Sequence, residues 1–124
     1  MIPTIVQVAL GGAIGAAARF GVGAALFRPG AGFPVAVLTV NVVGSFLMGV
    51  LLVYLGQKML THLNPFLMTG VLGGFTTFSA FSLEAYTLFE RGAVGQAATY
   101  VGLSVVLSIA ALVAGIFIMR GLLA

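Results

Sequence analysis

Apolar positions run along this chain in long continuous blocks, interrupted at three places by clusters of polar and turn-forming residues. The blocks cover Ile5–Phe27, Val35–Gln57, Pro65–Phe89 and Ala93–Met119. Between them stand Arg28-Pro29-Gly30-Ala31-Gly32, the stretch from Lys58 to Asn64, and Glu90-Arg91-Gly92, each with the chemistry of a turn. A helix crossing a hydrocarbon core about 30 Å thick needs roughly 20 apolar residues. Every block meets that length. Membrane β-strands would alternate in polarity with a period of two, and these blocks do not. The pattern predicts an all-α integral membrane protein whose residues 1–124 form a single domain of four spanning helices.

Composition strengthens this reading. Hydrophobic residues make up 61% of the 124 and charged residues 6%, where a soluble domain carries roughly a quarter charged. Mean hydropathy is +1.26. The surface is therefore solvated by a lipid bilayer, and any function is expected within it. The absence of cysteine excludes disulfides and thiolate metal sites. Five basic residues, scattered singly, form no nucleic-acid footprint. Met1-Ile2-Pro3 carries no Lys or Arg, so the first block reads as a retained helix rather than a signal peptide, despite Ala16-Ala17-Ala18. Glycine is abundant, at 18 residues. The small-residue pairs Gly11/Gly15 and Gly12/Ala16 read as helix–helix contacts, and Gly70/Gly74 repeats the spacing.

Charge predicts orientation weakly. With both termini on one side, that side carries Lys58 and Arg120, and the opposite side carries Arg28 and Arg91, with Arg19 near it. Lys and Arg normally favour cytoplasmic loops. Near balance predicts a chain that inserts both ways and pairs antiparallel with itself.

Polar residues inside the spans carry the functional signal. Arg19 and Glu84 are ionisable and lie off the span centres, where they can face water-filled vestibules; snorkelling and capping are the alternatives. Either way, Arg19 adds positive potential that attracts anions. In the third span, Gly73-Gly74-Phe75-Thr76-Thr77 predicts a broken helix. Each glycine costs about 1 kcal/mol of helix propensity, and threonine hydroxyls compete for backbone groups. Groups freed in this way are tolerated when buried in protein or when they hold an ion; a ligand-free packing kink is the alternative. Asn41, with Thr39 and Ser45 nearby, supplies an amide in the second span, commonly interhelical glue. Tyr100, Ser104 and Ser108 recur every fourth residue and line one face over about 12 Å. A single serine usually bonds its own helix, but three aligned hydroxyls predict a wet stripe. Phe78 and Phe81 share a face. Such residues ordinarily meet lipid, yet beside a polar track their positive ring edges can face an anion. No carboxylate sits at a span centre, so the inventory suits a small anion, whose lost hydration donors must replace.

These residues resemble the Fluc (CrcB) fluoride channels over essentially the whole chain. The resemblance rests on Gly11-Gly12-Ala13-Ile14-Gly15-Ala16-Ala17-Ala18-Arg19-Phe20, on Val40-Asn41-Val42-Val43-Gly44-Ser45-Phe46, and above all on Gly73-Gly74-Phe75-Thr76-Thr77-Phe78-Ser79-Ala80-Phe81-Ser82. It implies an antiparallel, dual-topology homodimer with two fluoride pores. Asn41, Phe78 and Phe81 match the pore amide and phenylalanines, Tyr100, Ser104 and Ser108 the polar track, with Thr77 and Ser79 beside them. A structural sodium ion is implied at the dimer centre, held by backbone carbonyls at Gly73 and Thr76. Arg19 and Glu84 fall on recurring family positions, assigned here to the vestibules. Two departures stand out: Ala80 replaces a frequent Thr, and Phe20 a frequent Tyr.

The expectation is a passive fluoride channel of the bacterial cytoplasmic membrane that exports fluoride and relieves its toxicity. A proton-coupled small multidrug-type exporter of organic cations is the alternative, but it needs a membrane-embedded carboxylate that the first helix lacks. An assembly subunit has no need of an aligned hydroxyl stripe. Enzyme chemistry is disfavoured, since His62 is the one histidine and lies in a loop.

Overall fold

A computed structural model of the chain describes residues 2–27 and 32–124. Met1 and the first four residues of the expected Arg28–Gly32 turn lie outside the described residues. Among those described, every regular element is helical and four stretches are long and apolar enough to cross a membrane.

Helix α1 is Thr4–Ala25 and α2 is Val35–Gln57. The third span opens with a 3-10 turn at Thr61–Leu63 and continues as a wide π-helix, Pro65–Leu72. One α-helical turn, α3 (Gly73–Phe75), follows. Thr76 and Thr77 are then extended, at φ −89°, ψ 160° and φ −153°, ψ 120°, before α4 runs over Phe78–Glu90. Helix α5 is Val94–Leu123, four residues longer than the expected end at Met119. Arg120 does not end it, since arginine is a good helix former, and its guanidinium lies 5.8 Å over the Phe117 ring on the same helix.

Two glycine seams position everything else. In the first, α1 lies against the opening half of the third span. A Cβ on Gly11 would strike the Phe66 carbonyl, and one on Gly15 the Val71 carbonyl and the Phe75 amide. These contacts recur on the third span at intervals of five and then four residues. The longer first step matches the i→i+5 winding of the π-helix. In the second seam, α2 packs on α5, where Gly49 meets the Leu112 carbonyl and Gly115 the Phe46 carbonyl. Backbones this close gain dispersion contacts that lipid cannot supply.

The connections are tight. After α2, Met59 adopts φ 59° and the Leu60 N–H reaches the Leu55 carbonyl at 2.8 Å. After α4, Gly92 does the same at φ 86°, with Ala93 bonded to Leu88 at 2.9 Å. Both are helix stops with a left-handed residue. Arg91 donates from Nη2 to the Gly32 carbonyl at 3.1 Å, tying the α4–α5 turn to the chain entering α2. Near that end, α4 and α5 meet around buried Leu88, Ala97 and Tyr100, with Phe33, Val37 and Phe81 against them.

Candidate ion pathway

The extended dipeptide Thr76–Thr77 is held by α2. Asn41 uses both ends of its amide on one residue: Oδ1 accepts from the Thr77 N–H at 2.8 Å, and Nδ2 donates to the Thr77 carbonyl at 3.0 Å. Backbone groups that leave a helix inside a membrane must find such partners. Thr77 also caps α4, its Oγ1 accepting from the Ala80 N–H at 3.1 Å and lying 3.3 Å from the Ser79 hydroxyl. From the other side, Arg19 donates through Nε to the Gly74 carbonyl at 3.1 Å.

Two of these bonds strip neighbouring carbonyls of their helical donors. In a continuous α-helix the Gly73 carbonyl would accept from the Thr77 N–H, and the Thr76 carbonyl from the Ala80 N–H. The first donor is turned to Asn41 and the second to Thr77 Oγ1. The Leu72 carbonyl, by contrast, is doubly satisfied by the Thr76 N–H at 3.0 Å and the Thr76 hydroxyl at 2.9 Å.

A cavity of about 370 Å³ opens beside the dipeptide. Asn41, Ser45, Thr76, Thr77, Ser104 and Ser108 give it polar groups, Phe78 and Phe81 give it aromatic rings, and none of the described residues lining it is ionisable. A second cavity of about 380 Å³ contains Arg19 and Phe20 and is bounded by Val40 and Ala80. Thr77 borders both. One extended residue therefore divides a cationic chamber from a neutral chamber of hydroxyls and rings.

The aromatic residues form a chain. Phe78 and Phe81 lie 5.4 Å apart by ring centroid, Phe81 and Tyr100 5.3 Å, and Tyr100 meets Phe33 edge-on at 5.6 Å. Tyr100 is fully buried and lines neither cavity, so of the α5 hydroxyls only Ser104 and Ser108 reach the chamber. The Tyr100 and Ser104 hydroxyls are buried without a hydrogen-bond partner. Ser79 borders neither cavity and touches the site through Thr77. Glu84 lines neither cavity and makes no hydrogen bond or ion pair among the described residues. Gly73 is exposed. Gly44 and Met48 belong to the chamber wall without having stood out as site residues; their spacing from Asn41, three and seven residues along α2, is the signal that marks that face.

Together the helices and chambers define a multi-pass membrane protein with a polar track suited to a small ion. Residues 6–116 match the family model described as "CrcB-like protein, Camphor Resistance (CrcB)", and the chain belongs to that family. It is 62% identical over 125 residues to a Ruegeria sp. protein named "Fluoride-specific ion channel FluC", with 99% of each chain covered. Proteins with the same name from Cereibacter sphaeroides and Agrobacterium fabrum are 61% and 50% identical, covering 100% of both chains and 95% and 97% respectively.

Proposed function

We propose that this chain is a fluoride-selective channel, not an enzyme, that lets fluoride leave the cell passively across the bacterial inner membrane. The observation that carries the reading is the neutral chamber, whose donors and aromatic rings lie beside an extended backbone with no carboxylate in its lining. A small anion entering lipid must exchange water for donors. Ser104, Ser108, Thr77 and the unused N–H of Asn41 offer them in series. Phe78 and Phe81 add positive ring edges without a deep binding site, which favours release as well as entry. Arg19 raises anion concentration in the adjoining chamber. The names of the relatives, fluoride-specific ion channels, point to the same ion. Nothing favours a cation exporter, since neither chamber is lined by a carboxylate.

The working unit of this reading is an antiparallel homodimer built on the interruption of the third span at Thr76–Thr77. Phe78 stands at the chamber edge with 78% of its surface exposed, as a ring that a second copy covers. Near-equal charge on the two ends supports both insertions. The Gly73 and Thr76 carbonyls, deprived of helical donors, fit a structural sodium ion shared by two copies. Neutral carbonyls suit a monovalent cation, and such an ion supplies the missing partner for acceptors buried in the membrane. Glu84 keeps a vestibule assignment here by family position.

Phe81→Ile tests the ring-lined path. Fluoride flux through the variant should fall at least tenfold while its elution on size exclusion matches the unsubstituted protein. Unchanged flux overturns the role of the ring.

A further inference from the structure

Gly44 sits on α2 one turn beyond Asn41 and faces the same dipeptide. A Cβ built there strikes the Thr76 Cγ2 methyl and lies 3.3 Å from Phe75 Cδ2. That methyl has no easy retreat, because the Thr76 hydroxyl is tied to the Leu72 carbonyl at 2.9 Å and the Thr76 N–H to the same oxygen at 3.0 Å. Rotating the side chain away from α2 breaks the hydroxyl bond to the Leu72 carbonyl. Moving the backbone away stretches the two bonds by which Asn41 holds Thr77. Many of this chain's glycines carry no such constraint: Gly12, Gly21, Gly102 and Gly121 would meet nothing within 4 Å.

We propose that Gly44 is a positioning residue, whose bare Cα forms the notch that seats the Thr76 methyl and thereby sets the direction of the Thr76 carbonyl and the line of the Thr77–Phe78 wall. This inference rests on the channel reading above. Asn41 holds the dipeptide by hydrogen bonds, and Gly44 admits it by shape. The two act from one face of one helix, so α2 holds the extended dipeptide by both bonding and shape.

A double-mutant cycle in the full-length protein tests it, because Thr76→Ser removes the obstructing methyl and keeps the hydroxyl. Gly44→Ala should lower fluoride flux at least tenfold in the native background but less than threefold in the Thr76→Ser background. An equal loss in both backgrounds overturns the proposal. If Gly44→Ala alone fails to fold, recovery of folded protein in the double variant supports the notch, and failure of both overturns it. A second readout separates positioning from bulk stability. Thermal midpoints are measured while sodium chloride replaces N-methylglucamine chloride, and a ligand that binds the native state raises the midpoint with concentration. Gly44→Ala should shift the sodium dependence at least tenfold towards higher concentration, with Thr76→Ser restoring it. An unshifted sodium dependence in folded Gly44→Ala overturns control of the carbonyl. Absence of fluoride flux in the unsubstituted protein, by contrast, sinks the channel reading itself.

Discussion

The hydroxyls of Tyr100 and Ser104 are buried with no partner, while the amide of Asn41 has both its oxygen and its nitrogen engaged. Unsatisfied buried donors cost about 1–3 kcal/mol each and persist in native proteins for a reason. In the channel reading proposed above, the Ser104 hydroxyl, which lines the chamber, is kept free for the passing ion. Ser104→Ala therefore separates stability from function. Removing an unpartnered hydroxyl should leave the thermal midpoint unchanged or slightly raised, while fluoride flux falls several-fold. A lowered midpoint with full flux would show the hydroxyl to be structural. Candidate residues at this scale were legible by type and spacing, but their partners were not. Asn41 announced an amide in lipid, whereas its two-point grip on Thr77 spans 36 residues of sequence and depends on how α2 docks. For the same reason Tyr100, aligned with Ser104 and Ser108 along α5, turns into the aromatic core rather than the chamber.

At the scale of elements, the two glycine seams determine which helices touch. Gly49 and Gly115 bring α2 and α5 into backbone contact, and Gly11, Gly15, Gly70 and Gly74 do so for α1 and the third span. Overpacking such a contact costs about 1–3 kcal/mol even for small additions. Gly115→Leu should lower the yield of monodisperse protein and its thermal midpoint, whereas Gly121→Leu on the same helix, with nothing within 4 Å, should behave as the unsubstituted chain. Equal behaviour of the two variants contradicts the seam. The spans themselves were readable because a bilayer demands long apolar runs, a requirement that no tertiary contact overrides. The π-winding of Pro65–Leu72 was not readable. It accommodates one extra residue where the third span follows the backbone of α1, and that is a demand of the neighbour rather than of the local sequence.

For the whole molecule, the open chamber, exposed Phe78 and balanced terminal charge belong together in the inverted pair proposed above. A C-terminal reporter pair, one active in the cytoplasm and one in the periplasm, should give signal from both compartments in roughly equal measure. Signal from one compartment alone contradicts dual insertion. The most direct measurement of the central claim is ion efflux from liposomes holding the purified protein, followed with a fluoride electrode after the membrane potential is released. Fluoride should leave rapidly and without need of a pH gradient, while chloride loaded in the same way is retained. Retention of fluoride by liposomes containing well-folded protein, or equal escape of chloride, would contradict the account.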